Sequence, residues 1–264
     1  MATESGTWKF ASPIGLFHCG PLAARVDVAK PELGLLDLRI DGAAVAGSLF
    51  SVQWLDESSD QKHGSGGWPM KLADAYVRGG DLVATYERMP NWPFAPQIYW
   101  SGEHGAGSTE PRSSRAGEAP CLLTLLVSIQ TDSLDTHPCI RVTSRLAADE
   151  LIHVEQEGAS KHPSSPPVPA PWSLPPASCL LWRLPGGKLS YAQFVAASDF
   201  RQLSVEHDAH GLACVHWDLF AEFLEKGVIR RARIQSILLP RKDDVKLAAA
   251  YCEALASRPL PLTT

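Results

Sequence analysis

The sequence predicts an all-β protein, a large antiparallel β-sandwich closed by a C-terminal α-helix and carrying one further short helix. Three observations point there. Apolar and polar residues alternate with a period of two in run after run, as side chains do on a strand with one buried face. Nearly every such run keeps one polar face, which belongs to antiparallel sheets rather than to parallel sheets covered on both sides. Finally, only two segments show helical spacing, too few to cover a sheet of this size.

Taken along the chain, LLDLRI sets Leu36, Leu38 and Ile40 against Asp37 and Arg39. In LFSVQWL, Phe50, Val52 and Trp54 alternate with Ser51 and Gln53. Residues 74–100 read as strand, tight Gly79-Gly80 turn, strand, proline-bounded corner and strand. Within them Leu82, Ala84 and Tyr86 share a face, and Tyr99 and Trp100 point to opposite sides. CLLTLLVSIQ places Leu123, Leu125, Val127 and Ile129 on one side, with Thr124, Ser128 and Gln130 on the other beside Leu122 and Leu126. IRVTSRL opposes Ile140, Val142 and Leu146 to Arg141, Thr143 and Arg145, and RQLSVE opposes Leu203 and Val205 to Gln202, Ser204 and Glu206. WDLFAEFLEKG, residues 217–227, reads as the short helix, with Gly227 as its stop. The tract 224–240 puts Ile229, Arg231, Arg233 and Gln235 on one face and Val228, Ala232, Ile234 and Leu238 on the other with Arg230. In 241–258, Val245, Ala248, Cys252 and Leu255 form a helical stripe, with Asp243 or Asp244 as N-cap and Pro259 beyond the end.

Three polar, Gly/Ser- or Pro-rich stretches read as loops: 56–67, 101–120 and 157–178. The last is taken as a long surface loop rather than a linker, which makes residues 1–264 one domain. No internal repeat is visible.

With 45% apolar and 20% charged residues the composition is that of a globular chain able to bury a core. A net charge of −5 with no block of Lys or Arg speaks against nucleic-acid and anionic-membrane partners. The six cysteines form no CxxC pair and mostly sit in apolar runs, so they read as reduced core residues. The N-terminus lacks a basic region followed by an apolar run, and no 18-residue apolar segment is present, so a cytoplasmic protein is expected.

No GxSxG, GxxxxGK[ST], HExxH or strand-borne GxGxxG motif occurs, and the sequence points to no cofactor and no metal. EHDAHGLACVH gathers His207, Asp208, His210 and His216, but Gly211 and the flanking strands make 207–211 a hairpin turn. TDSLDTHP offers Asp135 and His137 on a loop, a carboxylate and an imidazole able to act as acid and base. The more informative pattern combines strands. If the Arg141/Arg145 strand pairs with the Thr124/Ser128 strand, and the Arg231/Arg233/Gln235 strand lies beside them, an acidic protein carries one basic, hydrogen-bonding sheet face. Arg forks hold carboxylate or sulfate groups bidentately. Trp92 or Tyr99 would stack on a sugar ring, and Arg78 flanks the nearby Gly-Gly turn as a further ligand-binding candidate.

The pairing of AYVRGGDLVATYE…WPFAPQIYW with LFAEFLEKGVIRRARIQSILLP resembles a bacterial family to which no established activity attaches. The run of one-faced strands with Arg-bearing polar faces is also similar to galactose-mutarotase-like proteins. That resemblance implies a supersandwich and a sugar bound on the concave sheet. The expectation is therefore a protein that binds or processes an acidic or hydroxyl-rich carbohydrate through a polar sheet face, with His137 and Asp135 as first acid/base candidates. Docking of another polypeptide on the same face is the competing expectation.

Overall fold

Period-two patterning resolves into two nine-stranded antiparallel sheets packed face to face. The computed structural model describes residues 4–55, 70–89, 92–105, 120–134, 136–154, 177–196, 198–220 and 223–256. In chain order the first strands are β1 (Glu4–Ser5), β2 (Thr7–Ala11), β3 (Ile14–Cys19), β4 (Leu22–Asp27), β5 (Leu35–Ile40), β6 (Ala43–Ala44), β7 (Gly47–Trp54), β8 (Leu72–Arg78) and β9 (Asp81–Tyr86). They are followed by β10 (Phe94–His104), β11 (Cys121–Thr131), β12 (Cys139–Leu146), β13 (Glu150–Val154), β14 (Ala177–Arg183), β15 (Leu189–Ala196), β16 (Phe200–His207), β17 (Ala213–Phe220) and β18 (Ile229–Pro240). A 3-10 turn spans Pro31–Leu33, and helix α1 spans Asp244–Ala256.

The first sheet has the order β13-β14-β15-β18-β11-β10-β9-β8, with β1 paired to β10. The second has the order β16-β17-β12-β7-β5-β4-β3-β2, with β6 paired to β5. Strands on either side of the Pro-rich segment thus share both sheets. Loops 56–67 and most of 101–120 and 157–178 lie outside the described residues, though 101–104 complete β10 and 177–178 open β14.

The faces read from the alternation meet in the core. Leu82, Ala84, Tyr86, Trp100, Leu125 and Ile234 of the first sheet pack with Phe50, Val52, Trp54, Ile140 and Trp217 of the second. Each of the large aliphatic side chains among them contributes roughly 1.5–3 kcal/mol on burial. An interior cavity of about 10 Å3, lined by residues such as Leu22, Leu38, Leu123 and Leu238, is apolar and offers no ligand site. Polar contacts cross the core: Gln193 of β15 donates from Nε2 to Ser144 Oγ of β12 (3.0 Å) and accepts from Trp217 Nε1 of β17 (2.9 Å). They tie the sheets together directly behind the strands discussed below.

Helix α1 carries the anticipated stripe. Ala248, Cys252 and Leu255 are buried against Leu181, Phe194, Ile237 and Leu239 on the outer face of the first sheet. Its first turn is locked by Asp244, whose carboxylate takes two hydrogen bonds from Arg183 (3.0 and 3.1 Å) and one from Ser190 (2.7 Å). Burial opposes ionisation of Asp244, but Arg183 and Ser190 outweigh it and hold its pKa below the usual carboxylate range.

The short helix expected over 217–227 is not formed. Residues 217–220 end β17, because Trp217 and Leu219 enter the core while Asp218 faces out, a period of two. Gly227, at φ +81°, closes a turn instead of a helix. No helix among the described residues is long and apolar enough to cross a membrane. All six cysteines are buried as thiols.

Candidate functional site

The sequence-derived basic face divides in two. Strand β12 pairs with β7 and β17, whereas β11 pairs with β10 and β18. Arg141 and Arg145 therefore stand on the outer face of the second sheet, and Arg231, Arg233 and Gln235 on the outer face of the first. The expected single face is corrected to two faces on opposite sides of the sandwich.

On the first sheet, strand register lines up three cross-strand rows: Thr85, Gln97, Ser128 and Arg231; Val83, Tyr99, Leu126 and Arg233; Asp81, Ser101, Thr124 and Gln235. In the middle row Val83, Tyr99 and Leu126 form a buried cluster of their own, with Arg233 at its end. Tyr99 is only 7% exposed and its hydroxyl donates to Gln97 Oε1, so this ring is packed rather than offered to a ligand. Arg233 Nη2 reaches the carbonyl of Leu255 (3.4 Å), placing its charge at the negative end of α1. Asp199 accepts the Arg233 backbone N–H (3.0 Å). Gln235 is buried and donates to Thr124 Oγ1 (3.4 Å). Trp92 belongs to the core: its ring lies 5.0 Å from that of Trp54 and 4.7 Å from that of Phe94. Its stacking role is withdrawn, since the proline-bounded corner folds it inward. Arg78 is exposed at the end of β8, an edge strand.

The second sheet's outer face is built differently. Three rows cross β16, β17, β12 and β7: Gln202, Asp218, Arg141 and Gln53; Ser204, His216, Thr143 and Ser51; Glu206, Cys214, Arg145 and Ser48. Arg141 meets Asp218 as a two-pronged pair at 2.7 and 2.8 Å, which raises the pKa of the guanidinium. His216 sits between Thr143 Oγ1 (2.8 Å from Nδ1) and Glu206 Oε1 (3.1 Å from Nε2). Burial lowers the His216 pKa, so the ring is neutral near pH 7. An ionised Glu206 only accepts, so Nε2 carries the proton and Nδ1 accepts from the Thr143 hydroxyl. Arg145 is exposed and touches Ser48 Oγ through Nε and Nη2 at 3.4 Å, a weak pairing for a guanidinium.

Local backbone sets this row. β7 carries a bulge, with Leu49 and Phe50 opposite Ser144 between the Thr143–Ser51 and Arg145–Ser48 pairs, and Gly47 at φ +131° faces Leu146 just beyond it. A Cβ on Gly47 would lie 1.9 Å from the Arg145 carbonyl oxygen, so only glycine lets β7 approach β12 here.

The sequence groups His216 with His207, Asp208 and His210 in EHDAHGLACVH, where the turn-like EHDAHG dominates the pattern. That turn is real: Asp208 Oδ1 accepts the N–H groups of His210 and Leu212, both at 2.9 Å, and Gly211 has φ +76°. The signal for His216 was its alternation with Cys214 and Asp218 on one strand face. Among the described residues, no three His, Cys, Asp or Glu side chains converge as metal ligands. Asp135 lies outside the described residues. His137 is exposed between β11 and β12, its ring 5.8 Å from that of Phe223.

The arrangement of the second face can bind hydroxyl groups through fixed donors and acceptors. Its neutral imidazole, backed by a carboxylate, can also accept and return a proton.

No protein-family model matches the sequence, and no curated protein matches it. Likeness appears in the fold. A protein from Klebsiella pneumoniae, provisionally described as an aldose 1-epimerase, aligns over 95% of this chain and 87% of its own, with 8% identity and a TM-score of 0.53. Galactose 1-epimerase from Lactobacillus acidophilus aligns over 90% of this chain and 99% of its own, with 9% identity and a TM-score of 0.48. The GH36 α-galactosidase AgaB from Geobacillus stearothermophilus aligns over 91% of this chain and 41% of its own, with 8% identity and a TM-score of 0.45. The chain is a β-sandwich with weak fold-level similarity to galactose-mutarotase-like proteins, and the likeness extends to architecture alone.

Proposed function

We propose that this protein binds or processes carbohydrate on the outer face of β16, β17, β12 and β7. The observation that carries the reading is the three-row lattice centred on Arg141–Asp218, Thr143–His216–Glu206 and Arg145–Ser48. Sugars present closely spaced hydroxyls that each donate and accept, and an open lattice of paired donors and acceptors complements them. Arg145, exposed and touching Ser48 at the long end of hydrogen-bond distance, suits a carboxylate or another acidic substituent. His216 and Glu206 replace Asp135 and His137 as the acid/base candidates, because they share a hydrogen bond on the face itself. Epimerisation at C1 of an aldose, the reaction by which the Klebsiella protein is described, calls for such a proton-transfer pair and is the first activity to assay.

A glycan array tests the binding. Wild-type protein should bind a subset of glycans, Arg145→Ala should weaken that binding at least tenfold, and Arg231→Ala on the opposite face should leave it unchanged. Absence of binding by the wild type, or loss in Arg231→Ala with retention in Arg145→Ala, overturns the reading.

A further inference from the structure

The pairing of β12 with β17 continues past the regular ladder into an isolated bridge between Thr136 and Leu224. There Leu224 N–H donates to the Thr136 carbonyl (2.8 Å), and Thr136 Oγ1 donates to the Leu224 carbonyl (3.1 Å). A third contact, from Gly227 N–H to the Thr131 carbonyl (2.8 Å), fixes the same pair of segments. Leu224 is 2% exposed and belongs to the core, whereas its neighbour Phe223 stays in water. Phe223 is 50% exposed, and its ring is held at 60° to that of His137. An aromatic pair is thus mounted on hydrogen-bonded backbone at the end of the face where the Arg141–Asp218 row begins. It contributes little to the core, yet it leaves a large apolar ring in water.

We infer that Phe223, steadied by His137, is a stacking platform at the end of this face, and that the ligand is a short oligosaccharide rather than a single sugar. The inference rests on the carbohydrate reading and specifies its ligand class. The spacing supports it: His137 stands four residues before Arg141, and four extended residues cover about 13 Å. That is longer than one pyranose ring, so a ligand stacked on Phe223 reaches the Arg141–Asp218 row only through further sugar units. The aromatic ring binds the C–H side of one unit, while the polar rows take hydroxyls of the others.

Calorimetric titration with gluco-, galacto- and manno-oligosaccharides of one to five units tests this. The wild type should gain at least tenfold in affinity between the monosaccharide and the trisaccharide of the preferred series. Phe223→Ala and Phe223→Leu should abolish that gain without weakening the monosaccharide, and Phe223→Trp should keep it. Leucine retains apolar bulk without a flat ring, and unchanged thermal unfolding of the variants separates stacking from stability. Equal affinity for all lengths with Arg145 still required, or trisaccharide binding untouched in Phe223→Ala, overturns the oligosaccharide platform and leaves the polar face standing. No binding to any member of the panel or of the glycan array overturns both.

Discussion

The two outer faces use similar residues to opposite ends. On the first sheet, Arg233 is drawn to the C-terminal end of α1, Tyr99 is packed with Val83 and Leu126, and Gln235 is buried. Its polar side chains serve a face that its own helix and its own apolar cluster already occupy. On the second sheet Asp218 and Thr143 are buried as well, but they pair with side chains that reach solvent: Arg141 is 30% exposed, His216 15% and Glu206 51%. An arginine row on a sheet is therefore no mark of a binding site. What separates the two faces is whether the charges are spent on tertiary anchoring or on a lattice with an open side.

Substitutions that remove anchoring should cost most. Asp244→Ala strips Arg183 of its main partner and α1 of its first-turn lock, and should destabilise the protein by about 3 kcal/mol in chemical denaturation. Carbohydrate binding by the folded fraction should be retained, and loss of both together would tie the faces to each other. Asp218→Ala should cost about 2 kcal/mol, since it strands a half-buried guanidinium, and should abolish binding as well. Retained binding would place the ligand elsewhere.

A smaller effect follows from protonation. The unfolded His216 titrates near 6.5, while burial lowers its pKa in the fold. Between those values the unfolded chain binds more protons, so stability is complete above about pH 6.5 and declines as pH falls through the folded value. The Asp244 contribution, also from a depressed pKa, persists to lower pH and is lost only below the ordinary carboxylate range, near 4. Denaturation across pH 4–7 should thus show a slope that His216→Gln removes and Asp244→Asn does not. Smallest in stability is Arg145→Ala, within about 0.5 kcal/mol because the side chain is exposed, although the same variant should lose ligand.

Much of the architecture was legible because alternation reports which way each side chain points. Leu123, Leu125, Val127 and Ile129 enter the core as read, Tyr99 and Trp100 part as read, and the Ala248–Cys252–Leu255 stripe docks as read. Alternation says nothing about which strand lies beside which. That information resides in contacts between distant segments, and so the arginines of β12 and β18 were assigned to one surface when they occupy two. The same gap hid His216, whose partners Thr143 and Glu206 come from neighbouring strands. The aromatic cluster at 92–100 drew notice by density, yet Trp92 and Trp100 fill the interior. The exposed ring beyond the Arg141–Asp218 row is Phe223, which local composition does not distinguish.

The place of β18 has a consequence for how the chain acquires its shape. This strand lies between β15 and β11, in the middle of the first sheet, yet it is formed by residues 229–240. Until those residues emerge from the ribosome, β11 and β15 have no partner on that side, and each presents an open row of backbone amides and carbonyls. A nascent chain halted before residue 229 would hold two unpaired edges, a template for self-association. Synthesis of this protein thus has a vulnerable interval that closes only when a late segment is threaded into the centre of a sheet whose other strands are already made.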